Sequence, residues 1–173
     1  MKKQTVKLTT AAACLALAYV LPFITGNIPG IGKALAPMHI PVLLCGFLCG
    51  PLYGLAVGAC APILRSLTIG MPPIFPKGIA MALELAVYGL MTGLLYKLFP
   101  KKPVYIYISL FISMICGRLV WGAARFALAG FSATAFPLSA FIAGAITDAI
   151  PGIIVQIVVI PVVMIAVESQ KNK

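Results

Sequence analysis

Arg118 and Arg125 stand seven residues apart, with Trp121 between them, in the otherwise apolar stretch from Val104 to Leu128. Such a stretch is long enough to cross a bilayer, where an ionised guanidinium costs from about 3 kcal/mol on insertion scales to more than about 10 kcal/mol in simulation. Chains keep such groups where they face a protein interior and meet a ligand or a counter-charge. At about 1.5 Å per residue the two arginines are ~10 Å apart along a helix axis. A seven-residue step returns to nearly the same face, so both look into one space.

Opposite charge is scarce, with only three acidic residues against thirteen Lys and Arg. Glu84 lies seven residues after Lys77 in another apolar span, and Asp148 lies about ten residues into the last one. Matching depths sets Asp148 level with Arg118 and Glu84 within the interval from Arg125 to Arg118, and a structural arrangement would pair Arg118 with Asp148 and Arg125 with Glu84. Such pairs hold a bundle in register, although desolvation offsets much of their attraction. A mixed arrangement is expected, in which Asp148 anchors Arg118 while Arg125, Trp121 and Glu84 meet a ligand. His39 and Lys77 sit at the same end of their spans, and Asn27 and Phe75 lie in the adjoining loops. These nine residues are the candidate ligand contacts.

Other chemistry is poorly served. There is one His in the whole chain, no G-x-S-x-G and no H-E-x-x-H, so no nucleophile–base set is visible. Gly30-Ile31-Gly32-Lys33-Ala34 looks like a phosphate-binding loop. However, Asn27 stands where its first glycine belongs, Ala34 replaces Ser or Thr, and no strand precedes it. No catalytic residue and no metal site is assigned. Cys14, Cys45, Cys49, Cys60 and Cys116 fall in apolar spans without a ligand pattern that completes a zinc set, and read as small packing residues.

The elements that carry these residues follow from composition. Hydrophobic residues make up 62% of 173 and charged residues 9%, with a mean hydropathy of +1.10. Soluble domains carry roughly 25% charge, so the surface must face lipid. No linker or low-complexity block divides the chain, and residues 1–173 read as one domain. Breakers cut it into six helices, about 7–25, 38–49, 52–67, 77–98, 104–128 and 139–167, with Pro151 bending the last. The second and third look too short to span comfortably, which a bilayer tolerates where they are shielded by protein. Basic residues cluster at 2, 3 and 7, at 97, 101 and 102, and at 171 and 173. By the positive-inside rule they put both termini in the cytoplasm. The net charge of +10 therefore concerns topology, not nucleic acid. Lys2, Lys3 and Lys7 before the run Leu8–Ile24, with Ala34-Leu35-Ala36 beyond, also fit a signal peptide. That run is long for one, and it is taken as the first membrane helix.

Small residues recur at spacing four, as in Gly46, Gly50, Gly54 and Gly58, in Gly89 and Gly93, and in Ala140, Gly144, Asp148 and Gly152. They permit close helix approach in lipid. Ala12 and Ala16, with Thr9 and Ala13, give the first helix a smooth face that suits internal packing or a partner helix equally.

The chain resembles the substrate-binding S components of energy-coupling factor (ECF) vitamin transporters over nearly its whole length. The resemblance rests on six short spans, on Ala12-x-x-x-Ala16, and above all on the block Pro37–Gly46 leading to Gly50-Pro51-Leu52-Tyr53-Gly54-Leu55-Ala56-Val57-Gly58. It implies a subunit of the bacterial plasma membrane that binds a water-soluble vitamin from outside, under lids formed here by 26–33 and 70–76. It implies docking through Ala12 and Ala16 to a membrane scaffold subunit driven by two ATPases, and toppling to release the vitamin inside. The chain itself would bind no cofactor, with ATP hydrolysed by its partners. A pocket with both arginines neutralised would suit pyridoxine or a pyrimidine precursor stacked on Trp121 or Phe75. One with a free arginine would suit a carboxylate such as pantothenate. Two other readings remain open, a structural or assembly subunit with all charges paired internally, and a small intramembrane enzyme built on His39 and Asp148.

Overall fold

The computed structural model describes residues 2–26, 36–130, 137, 142–144 and 149–171. Asn27, Asp148 and the proposed lid 26–33, apart from Gly26, lie outside the described residues. Among the described residues there are six α-helices: α1 (Lys2–Gly26), α2 (His39–Cys49), α3 (Pro51–Ile69), α4 (Ile79–Leu98), α5 (Pro103–Ala129) and α6 (Ile150–Lys171). A π-helical turn, Ile74–Gly78, leads into α4. In lipid every backbone N–H and C=O must be met within its own segment, which a helix does. Five segments are long and apolar enough to cross a bilayer, and α2 is not.

At eleven residues α2 spans only ~16 Å, about half of a ~30 Å hydrocarbon core. It is nevertheless the central helix, packed against α1, α3, α4 and α6. His39, Pro41, Val42, Leu43, Cys45, Gly46, Phe47 and Cys49 are all buried. Being apolar on every side is what a helix wrapped by others requires. The third helix, by contrast, reaches spanning length at nineteen residues because it continues to Ile69. The last described helix runs to Lys171, and Pro151 stands in its first turn.

Gly50 joins α2 to α3 at φ 101°, a conformation that favours glycine, and Pro51 opens α3 at a position where its missing N–H costs nothing. From there α3 and α4 run antiparallel in backbone contact. A Cβ on Gly89 would collide with the backbone of Gly54, and one on Gly54 with the carbonyl of Gly89. Gly58 meets the Leu85 carbonyl and Gly93 meets Pro51 in the same way, so the spacing-four glycines of these helices are packing residues. Cys14, Cys45 and Cys49 are buried in the apolar core beside Val42, Leu43 and Leu85.

Contacts between helix ends fix the topology. Tyr19 donates to Thr68 at 3.0 Å, which makes α1 parallel to α3. Tyr96 donates to Glu168, which makes α4 parallel to α6. Lys2 and Lys171 therefore lie at the same end of the bundle as the 98–103 loop. Arg65 donates to the Tyr19 carbonyl at 3.1 Å and lies over the Phe23 ring. It clamps α1 to α3.

The α3–α4 contact tolerates no side chain. Gly89→Ala should cost about 1–3 kcal/mol through overpacking against Gly54. The lipid-facing control Leu83→Ala should stay within about 0.5 kcal/mol. Both are checked by reversible unfolding in detergent.

Candidate functional site

The polar residues buried in the bundle converge near the end remote from the termini. Glu84, on the inward face of α4, is 2% exposed. Nη1 of Arg118, from α5, lies 2.9 Å from its Oε1. His39, in the first turn of α2 and 4% exposed, brings Nε2 to 3.7 Å from the same oxygen. Tyr88 lies one turn below Glu84, and its ring packs on that of His39 with centroids 5.4 Å apart. Trp121 stands beside Arg118, whose guanidinium carbon is 6.0 Å from the indole ring, and it packs against Gly144. Three of the expected residues, Glu84, Arg118 and His39, thus meet at one carboxylate oxygen, with Trp121 adjoining.

The pairing differs from expectation. Glu84 takes Arg118 as its ion-pair partner, in place of Arg125. The Tyr88 ring occupies the space a Gly117 side chain would fill, and this sets Glu84 roughly level with Trp121, between the two arginines. Axial depth alone therefore does not choose between them, and lateral packing does. Arg125 is half-buried nearly two turns further out. Arg118's other expected partner, Asp148, lies outside the described residues. Lys77 is exposed two residues before α4 begins. The chain bends into the helix at Phe75, which is extended at φ −111°, ψ 135°. Phe75 is exposed on that turn. Ser66 holds the loop by donating to the Pro72 carbonyl at 2.6 Å.

Gln156 is a further polar residue at this depth. It is 1% exposed, on the buried stripe Gly152, Gln156, Ile160 and Met164 of α6. The Tyr96–Glu168 bond ties α4 to α6 at the termini end. Twelve residues separate Tyr96 from Glu84, and twelve separate Glu168 from Gln156. At 1.5 Å per residue both lie ~18 Å up their parallel helices. Its signal was visible in the sequence as the one amide in the apolar run from Ile150 to Val167.

Each of the four helices therefore places one polar side chain at this level, and a buried residue of the packed interior one turn nearer the termini. His39 is followed by Leu43, Glu84 by Tyr88, Arg118 by Met114 and Gln156 by Ile160. The result is a buried polar layer above an apolar one. Several of its atoms make no hydrogen bond, namely both ring nitrogens of His39, Glu84 Oε1, Arg118 Nε and Gln156 Oε1. The Glu84–Arg118 contact matches charge at close range without the alignment of a hydrogen bond. Buried polar atoms are nearly always bonded, and among the described residues these are the exceptions at this level.

The described residues form a helical membrane bundle with a buried polar cluster near the end remote from the termini. The chain belongs to the family described as ECF transporter, substrate-specific component, whose profile matches residues 6–164. Neither a curated protein nor a solved structure matches it. Family membership makes this an integral, multi-pass protein of the plasma membrane and a transporter subunit, in a family of substrate-binding components and not of enzymes. It also implies a small-molecule substrate and association with scaffold and ATPase subunits.

Glu84→Leu leaves Arg118 buried without its counter-charge and should cost about 3–5 kcal/mol. The double variant Glu84→Leu with Arg118→Leu should recover more than half of that loss. A double-mutant cycle on thermal unfolding in detergent measures the coupling.

Proposed function

We propose that this chain is the vitamin-binding subunit of an ECF-type importer, with both termini in the cytoplasm and the pouch opening outward. The observation that carries the reading is the group of unbonded polar atoms around Glu84 in a member of this family. A purely structural cluster would have closed those bonds upon itself. The lysines at the termini end support the orientation.

The ligand is a water-soluble vitamin or precursor of pantothenate, pyridoxine or pyrimidine type. It enters past Lys77 and Arg125 and settles against Glu84, Arg118, His39 and Trp121, with Asp148 and Asn27 as further contacts. The 70–76 loop, with Phe75, acts as a lid. The chain binds no cofactor of its own, and two ATPases bound to the scaffold supply the energy. Docking uses α1. Ala12 and Ala16 are exposed, and Ala12 lines a wholly apolar groove of about 230 Å³ between α1 and α3, with Leu8, Leu15, Tyr53, Val57 and Cys60.

Calorimetry of the purified chain against a vitamin panel tests binding, and a folded protein that binds none of them would overturn the reading. Ala12→Trp should abolish uptake by reconstituted transporter while leaving ligand affinity within about twofold, because the groove is remote from the pouch. Loss of both together would place Ala12 in the binding fold and remove it from the docking face.

A further inference from the structure

We infer that the Glu84 cluster is a pH-operated counter-ion switch, in which a protonated His39 takes the Glu84 carboxylate and releases Arg118 toward the surface. One oxygen, Glu84 Oε1, has Arg118 Nη1 at 2.9 Å and His39 Nε2 at 3.7 Å. The imidazole stands about 0.5 Å beyond hydrogen-bond reach, and neither of its nitrogens has a hydrogen-bond partner among the described residues. With His39 neutral, Glu84 and Arg118 cancel and the three side chains carry no net charge. A proton on His39 makes it a second cation on a carboxylate that can neutralise only one.

Exposure decides which cation yields. The side chains of His39 and Glu84 are 4% and 2% exposed, whereas that of Arg118 is 19% exposed. An uncompensated charge held in the interior is the costly arrangement, and of the two cations Arg118 is the one that already reaches the boundary of the protein. Its long stem lets the guanidinium move while α5 stays in place. The imidazole is held against the Tyr88 ring and needs only a small shift to close a charge-assisted bond. Histidine is the side chain that changes charge between about pH 5 and 8. Glu84 and Tyr88 face it from α4 and Arg118 adjoins from α5, with Lys77 and Arg125 further out on the same two segments. The charged residue of α3, Arg65, is engaged with the Tyr19 carbonyl and the Phe23 ring. On α1, Tyr19 donates to Thr68. The described part of α6 has no titratable residue before Glu168, and Asp148 lies outside the described residues. Acidification thus turns a paired arginine into an exposed one at the end remote from the termini. None of these distances depends on what the bundle binds, so the switch and the importer reading fail separately.

The chain holds one histidine and one tryptophan, which gives each side of the switch its own signal. The full chain in detergent is titrated from about pH 8 to about pH 5. NMR follows the imidazole, and the emission of Trp121, whose ring lies 6.0 Å from the Arg118 guanidinium carbon, follows the guanidinium. The two titrations should share one midpoint. His39→Gln should abolish the emission change. Arg118→Gln should also abolish it, and should raise the imidazole midpoint by about one pH unit because a cation that opposes protonation is gone. An imidazole that takes up no proton in this range would overturn the switch, as would separate midpoints or an emission that stays flat while the imidazole titrates. So would an emission change that persists in His39→Gln, or an imidazole midpoint that Arg118→Gln leaves unmoved. Should either variant not fold, the coincidence of the two midpoints on the unmodified chain decides the matter.

Discussion

The enclosed Glu84–Arg118 pair is the constraint on which the rest of the bundle depends. Neither charge is tolerable in hydrocarbon alone, and their mutual attraction repays desolvation only where the geometry is close. Four helices must therefore surround the pair and keep lipid out. This demand accounts for α2, which is too short to span yet is wrapped by its neighbours. It also accounts for the glycines that bring α3 and α4 into backbone contact, since a wider gap would let acyl chains reach the cluster.

Beneath the pair, polarity changes within a single helical turn on all four helices. The floor made by Leu43, Tyr88, Met114 and Ile160 belongs to, or borders, one continuous apolar core. This division separates two tasks. The half nearer the termini stabilises the bundle, and its ends are fastened by the Tyr96–Glu168 bond and by Lys101 over the Tyr96 ring. The remote half carries the Glu84–Arg118 pair with His39 and Gln156, and among the described residues several of their atoms are without a hydrogen bond.

The first helix stands apart from this arrangement. Only 17% of its spanning window is buried inside the protein, against 50% for the segment leading through α4. Arg65 and Tyr19 fasten its remote end to α3, while nearer the termini the two helices leave an apolar groove. Its small-residue face is therefore open to lipid or to another helix, and the proposed docking role uses surface that the bundle itself does not need.

Much of this was legible in the chain. Scarce charge and apolar spans between clusters of lysine determined a helical membrane protein. The cost of ionised groups in lipid marked Arg118, Glu84 and His39 as neighbours of one space, because they had nowhere else to go. The pairing was not legible. Glu84 lies between the two arginines in depth, and axial position cannot choose where side-chain packing of Tyr88 against Gly117 does. The central place of α2 and the inward aim of Gln156 depend on contacts between helices distant in the chain. By itself the sequence determined which groups lipid must not touch, since transfer cost is a property of each residue. Only the tertiary structure decided which of them touch one another, since that follows from how whole helices pack.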